Sequence, residues 1–333
     1  MNLSDEIKNY ALELGFHIVK IIPADELEID GEYLQNWLDK GFAGELEYMK
    51  KQPQRRSNPK QILPNAKSMI CLAINYYRDF DNNDLNNSLE LGRVARYAWG
   101  KDYHIVIEKK LKKLRAFIIE KTRSDHDIIL QKNDFKIYTD AGPLLERAYA
   151  ARAGVGVIGK NGMLITQEYG SWVLLAELLT TLDLDYDEVI DYEHDRFSVC
   201  GTCRRCIDAC PMHAIIEPGE MDARKCISYQ TIENCGKIPD EIYEKMGNRI
   251  FGCDICQEVC PHNSRVKQTD VKEFLIDRAG ATLDINELQS MGKASNGQSE
   301  FDKKYQGSPI RRTGLTGLIR NAKNMLKSIV SNK

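Results

Sequence analysis

Apolar positions recur with a helical period over residues 5–14, where Ile7, Ala11 and Leu14 share one face and Gly15 stops the run. The pattern then tightens: Gly15-Phe-His-Ile-Val-Lys-Ile-Ile predicts a strand. Helices are predicted over 31–40 and 44–51, followed by a basic loop from Pro53 to Pro64. Met69-Ile-Cys-Leu-Ala-Ile-Asn-Tyr is an apolar run of the kind a central strand shows when both faces are covered. Residues 80–90, rich in Asn and Asp, predict a surface loop. The clearest helix lies over 104–122, with Ile107, Leu111, Leu114 and Ile118 as its apolar stripe and its lysines turned to solvent. Ile128–Leu130 and Lys136–Thr139 are short strand candidates, Leu144–Ala153 is a helix ended by Gly154, and Met163–Thr166 and Trp172–Thr181 are two further strands. This order predicts an α/β (α+β) fold in which a mixed sheet is flanked by helices through about residue 195. Residues 266–333 read as mainly helical, ending in a basic helix from about 313 to 329.

Between these parts lies a stretch governed by different chemistry. Cys200, Cys203, Cys206 and Cys210-Pro211 follow the spacing C-x2-C-x2-C-x3-C-P, and Cys226, Cys253, Cys256 and Cys260-Pro261 form a related second set. The short gaps let three thiolates converge on three corners of one cubane, while the cysteine before proline reaches the other cluster. One [4Fe–4S] cluster is therefore assigned to Cys200, Cys203, Cys206 and Cys260, and a second to Cys210, Cys226, Cys253 and Cys256. A tetrahedral zinc would need two C-x2-C pairs instead of this run, and disulfides need an oxidising compartment. Cys71, in an apolar run, and Cys235 read as structural or spare thiols. Three segments are thus expected: 1–195, a ferredoxin-like two-cluster segment 196–265 in which the clusters replace an apolar core, and 266–333.

The N-terminus has no basic region followed by an apolar one, and no apolar run reaches the length of a membrane span. With reduced thiolates, this predicts a cytoplasmic protein with no membrane partner. The net charge of −3 does not advertise nucleic-acid binding, but the charge is unevenly placed. Lys50, Lys51, Arg55, Arg56, Lys60 and Lys67 follow one another without an acid, and the tail carries Lys303, Lys304, Arg311, Arg312, Arg320, Lys323, Lys327 and Lys333 against Asp302 alone. Such runs allow a local phosphate-binding face; each is equally readable as solvated surface.

Clusters move single electrons, so a second redox centre or a partner is expected. Gly154-Val-Gly156-Val-Ile-Gly159 matches G-x-G-x-x-G, but it follows a helix and precedes a strand, the reverse of the dinucleotide fingerprint. Its small residues would instead let a flat, bulky cofactor approach the backbone. Asp140 stands at a strand end before Ala-Gly-Pro, where a carboxyl can face a pocket; burial there would keep it protonated and able to donate. A turn or helix-capping aspartate is the plainer reading.

Several stretches together resemble the epoxyqueuosine reductases: Tyr138-Thr-Asp140-Ala-Gly-Pro143-Leu-Leu-Glu146-Arg147-Ala, Arg152-Ala-Gly-Val-Gly-Val-Ile-Gly159-Lys160-Asn161, Ala95-Arg-Tyr-Ala-Trp-Gly-Lys-Asp102-Tyr103-His104, Cys226-Ile-Ser228-Tyr229-Gln-Thr-Ile-Glu233 and Gly307-Ser-Pro-Ile-Arg311-Arg312. The resemblance implies reduction of epoxyqueuosine to queuosine at the wobble position of tRNA, with cobalamin beside two [4Fe–4S] clusters, in a cobalamin domain similar to that of reductive dehalogenases. It implies Asp140 as proton donor, Tyr103 and Ser228 as cobalamin contacts, and Leu164 and Leu175 as contacts through the backbone. The expected partners are a tRNA with a GUN anticodon carrying epoxyqueuosine and an external electron donor, with the chain acting as a monomer and Arg55, Arg56, Arg311 and Arg312 on tRNA phosphates. Many members continue into a helical-repeat module, which this sequence is not expected to carry. Asp102-Tyr-His104 begins the D-x-H-x-x-G pattern of other cobalamin enzymes, but Ile107 occupies the glycine position, so no histidine ligand is expected. Two rival readings are a cytoplasmic reductive dehalogenase and a plain electron carrier; the basic runs argue against the first and the 195-residue leading segment against the second.

Overall fold

The computed structural model describes residues 2–80 and 90–331. The loop expected at 80–90 therefore lies, but for its two ends, outside the described residues. The chain runs through α1 (Leu3–Glu13), β1 (Ile18–Pro23), α2 (Glu28–Asp39), β2 (Ser68–Asn75), β3 (Leu91–Val94), α3 (Tyr103–Asp125), β4 (Phe135–Tyr138), α4 (Glu146–Arg152), the hairpin β5 (Val157–Ile158) and β6 (Leu164–Ile165), and β7 (Val173–Thr180). There follow β8 (Ile215–Glu217), β9 (Glu220–Met221), α5 (Ile227–Ile232), α6 (Asp240–Met246), β10 (Arg249–Phe251), β11 (Thr282–Asp284), α7 (Ile285–Lys293), α8 (Gly297–Lys304) and α9 (Gly314–Ser331).

The main sheet has the order β1-β2-β7-β4, and every pairing in it is antiparallel. β2 is buried at every position, which is why its residues are apolar almost without interruption. One face packs on α1 and on the Ile107, Leu111, Leu114 and Ile118 stripe of α3; the other packs on Ala148, Tyr149, Ala151 and Leu164. α3 begins where the Asp102 carboxylate accepts the His104 N–H at 3.0 Å, an N-cap that sets the direction of Tyr103.

A second sheet, β10-β3-β11, pairs β10 with β3 in parallel and β11 with β3 antiparallel. The mixed pairing of the fold is confined to it. It takes one strand from each of the three expected segments, and Val94, Trp99, Phe251, Leu283, Phe301 and Leu318 close a core around it. The segments are therefore stitched together instead of being strung on linkers. Arg96 adds a second tie: its guanidinium lies 4.7 Å from the Trp172 ring and its backbone N–H donates to Asp254 at 2.7 Å.

Three local expectations change. Ile128–Leu130 is not a strand, since Asp127 turns the chain with φ 52° and Ile129 is 81% exposed. The helix expected over 44–51 shrinks to Glu47–Lys50. The cluster segment does have a small apolar core, Met212, Ile227, Ile238, Ile242 and Met246, on which Cys210 and Cys253 pack. Among the described residues no helix is long and apolar enough to cross a membrane.

Candidate active site

The cysteines gather as the spacing predicts. Cys200, Cys203, Cys206 and Cys260 line one cavity of about 190 Å³. Cys206 lies in the field of Cys200 and Cys260, and Cys260 in that of Cys200 and Cys203. The other set is linked in the same way: Cys226 feels Cys210, Cys253 feels Cys226, and Cys256 feels Cys253 and Cys226. Cys256 also feels Cys206, so the two sets adjoin. All ten cysteines are free thiols. Burial pushes the Cys253 thiol up to about 12 and the Cys256 thiol well above its ordinary value, so a bound cation is needed to hold them as thiolates. Backbone N–H groups already point at sulfur, from Lys160 to Cys200 at 3.5 Å and from Ala214 to Cys210 at 3.3 Å. Among the described residues no three His, Cys, Asp or Glu side chains converge tightly enough for a single metal ion. A cubane, which spreads its thiolates over four corners, suits the wider sets, and both fit a [4Fe–4S] cluster.

Asp140 follows β4 with φ 57°, the left-handed region that few non-glycine residues occupy. The Tyr103 hydroxyl donates to its Oδ2, and its own N–H donates to Glu146 Oε1 at 2.6 Å. The carboxyl caps no helix: α4 starts after Leu145 with no side-chain cap. That observation removes the capping alternative. The carboxyl is also 66% exposed, which corrects the expectation of burial, because the left-handed turn lifts it off the strand end. Tyr48, Tyr97 and Arg312 lie within its field, and Glu233 lies within reach of the same three. These groups bring together the 44–57 segment, the start of α3, the Asp140 loop and the end of α5. His104 stacks on Tyr103 with ring centres 4.1 Å apart; its Nδ1 is 2.9 Å from Asp102 and its Nε2 is 3.9 Å from Asp140.

Ser228 is half-buried on α5, two residues after Cys226. The side chains of Leu164 and Leu175 are spent in the core, which leaves only their backbones for a ligand; the Leu175 carbonyl already accepts from Thr139 Oγ1 at 2.9 Å. Arg56 does not face solvent. It is 8% exposed and donates to Tyr48 O at 2.7 Å and Gly142 O at 3.4 Å, so it braces the Asp140 loop and is not free for tRNA phosphate. Arg55 bonds Gln52. Arg311 and Arg312 are half-exposed, on Asp302 at 3.3 Å and in a two-pronged pair with Glu233 at 2.7 and 2.9 Å. Arg55 and Arg56 each keep a buried Nε–H without a partner. Neither Nε–H has exposed surface, so neither is open to a phosphate or an amide of a bound ligand.

Pattern reading does not single out Glu177 or Lys160. Glu177 sits in β7 with no exposed surface, opposite Cys71 and Tyr138. The available signal was a lone acid within Trp172–Thr181. Lys160 reaches Cys203 O at 3.0 Å and clamps the first cluster loop.

Residues 56–141 match the family model described as epoxyqueuosine reductase QueG, DUF1730, and residues 199–263 that of a 4Fe-4S double cluster binding domain. An epoxyqueuosine reductase of Gloeobacter violaceus is 40% identical over 96% of this chain and 95% of its own length. The chain belongs to the epoxyqueuosine reductase family. Among solved structures, an epoxyqueuosine reductase holding an epoxyqueuosine-modified tRNA-Tyr stem loop is 33% identical, with a TM-score of 0.82 over 97% of this chain and 80% of that one. The Bacillus subtilis epoxyqueuosine reductase, in a form with its catalytic aspartate loop swung out of the active site, is 33% identical, with a TM-score of 0.82 over 97% of this chain and 81% of that one.

Proposed function

We infer that this chain reduces epoxyqueuosine to queuosine at the wobble position of tRNA, the last step of queuosine biosynthesis, with cobalamin and two [4Fe–4S] clusters. The observation that carries this reading is full-length family membership combined with an exposed, non-capping Asp140 held by Tyr103. Cobalamin supplies the low-potential reducing chemistry at the substrate, fed one electron at a time by the clusters. Tyr103, Ser228 and the backbones of Leu164 and Leu175 are the residues that would hold it. Removing the epoxide oxygen as water takes two electrons and two protons. Asp140 Oδ provides one of these protons to the departing oxygen, which would otherwise leave as a poor anionic leaving group, and water supplies the second. Tyr103 holds that carboxyl in place.

The tRNA docks with its modified base splayed from the anticodon loop, as single-stranded RNA bases are read. Arg311 and Arg312 are the candidates for its phosphates, although each must exchange a carboxylate partner first. Arg311→Ala lowers tRNA affinity and reduces the slope of log affinity against log salt by about one. Filter binding at several salt concentrations measures both; an unchanged slope returns Arg311 to ordinary surface charge. We place the enzyme in the cytoplasm as a monomer with an external electron donor, and keep 195 and 265 as segment boundaries.

The test is a cobalamin titration of the anaerobically purified chain followed by its visible spectrum. Corrin uptake by the cluster-loaded protein, seen as a change in the visible spectrum, supports the reading; no uptake overturns it.

A further inference from the structure

The mechanism leaves one pair of acids unused, the wholly buried Glu177 and the half-buried Glu146. Glu177 has no exposed surface, and neither of its carboxyl oxygens receives an N–H or O–H donor from a described residue. Its side chain meets that of Glu146, the residue that accepts the Asp140 N–H at 2.6 Å. Two carboxylates in one buried place cannot both be charged. One shared proton resolves this: it supplies the donor that Glu177 lacks and fixes the Glu146 carboxyl as acceptor. Asp140 needs that acceptor, because a left-handed non-glycine residue persists only when its surroundings hold it. The rest of the loop is tied by Arg56 on Gly142 O and by the Leu145 N–H on Arg56 O at 2.9 Å.

We propose that Glu146 and Glu177, sharing one proton, are a latch that holds the Asp140 loop in its closed position. This rests on the reading of Asp140 as the proton donor, and it names positioning residues for that donor. Burial first, and the Asp140 carboxylate second, push Glu146 up to about 8; burial drives Glu177 well above the ordinary carboxylate range. The charged and titratable groups facing the pair are Asp140 on the loop, Arg147 on α4, Arg56 on the 54–57 turn, and Cys71 and Tyr138 on the flanking strands. Arg56 and Arg147 favour ionisation of Glu146, and Asp140 opposes it. The hydrogen bonds from the Asp140 N–H and from the Glu177 side chain both favour the acceptor form of Glu146, so the shared proton resides on Glu177 and Glu146 accepts from both.

Amide hydrogen exchange of the cluster-loaded full chain, read on the peptide spanning 138–145, tests this directly. Glu146→Ala loses about tenfold protection, the effect of one hydrogen bond, while Glu146→Gln, which keeps the acceptor, restores it. Glu177→Leu, which has no proton to give Glu146, also loses protection, while Glu177→Gln, whose amide N–H still donates, keeps it. Iron content and protection of α3 show that each variant is folded. Parent-like protection in Glu146→Ala or Glu177→Leu, or no recovery in Glu146→Gln, overturns the latch. Asp140→Asn separates the two ideas: normal turnover in that variant defeats the acid role, whereas the exchange protection reports on the latch alone.

Discussion

Asp140→Asn binds iron and corrin as the parent does, yet turns over about 10²–10⁴-fold more slowly. The substitution is unusually clean at this position. Asparagine is among the residues that best tolerate the left-handed region, so φ 57° does not disfavour it. Its Oδ1 still accepts from the Tyr103 hydroxyl, and its N–H still reaches Glu146. What it lacks is a proton to release. Deoxygenation of epoxyqueuosine tRNA is measured alongside iron content and corrin binding. Near-normal turnover rules out the acid role, and loss of corrin or iron together with activity makes Asp140 a structural residue instead.

Cys203→Ala and Cys256→Ala each lower iron from about eight to about four per chain, because they serve different cubanes. Neither variant reduces the substrate, since electrons must cross both adjoining sets. Their effects on stability differ. Cys253, assigned to the same cluster as Cys256, packs on the Met212–Met246 core, whereas Cys203 lines the first cavity and does not pack on that core. Cys256→Ala therefore lowers the melting temperature more than Cys203→Ala. Full iron in either variant contradicts the ligand assignment, and the reverse order of melting temperatures contradicts the placement of the second cluster in the core.

What could be read from the sequence was local chemistry and strong periodicity. The cysteine groups are legible because the C-x2-C-x2-C-x3-C-P spacing is local, and α3 and β2 because burial repeats along them without a break. β3, β10 and β11 are not legible. Each has three or four residues and is defined by partners far away in the chain, such as Arg249 and Thr282, both opposite Arg93. Ile128–Leu130 misleads for the opposite reason: an apolar run with no partner strand is left at the surface. Arg56 shows the limit of charge patterning, which does not distinguish a guanidinium folded inward onto two carbonyls from one facing water. Glu177 is the instructive miss. An acid in a wholly buried strand is a strong signal, because a charge there is untenable without a partner, but its partner Glu146 lies on another element.

The central claim is that this chain removes the epoxide oxygen from a tRNA nucleoside by cobalamin-dependent reduction, with Asp140 as the proton donor. The most direct measurement is an anaerobic assay of the reconstituted chain with a low-potential reductant and epoxyqueuosine tRNA, followed by nucleoside mass spectrometry. Conversion to queuosine that requires added cobalamin and collapses in Asp140→Asn is the predicted result; conversion without cobalamin, or none by protein loaded with both clusters and cobalamin, contradicts it.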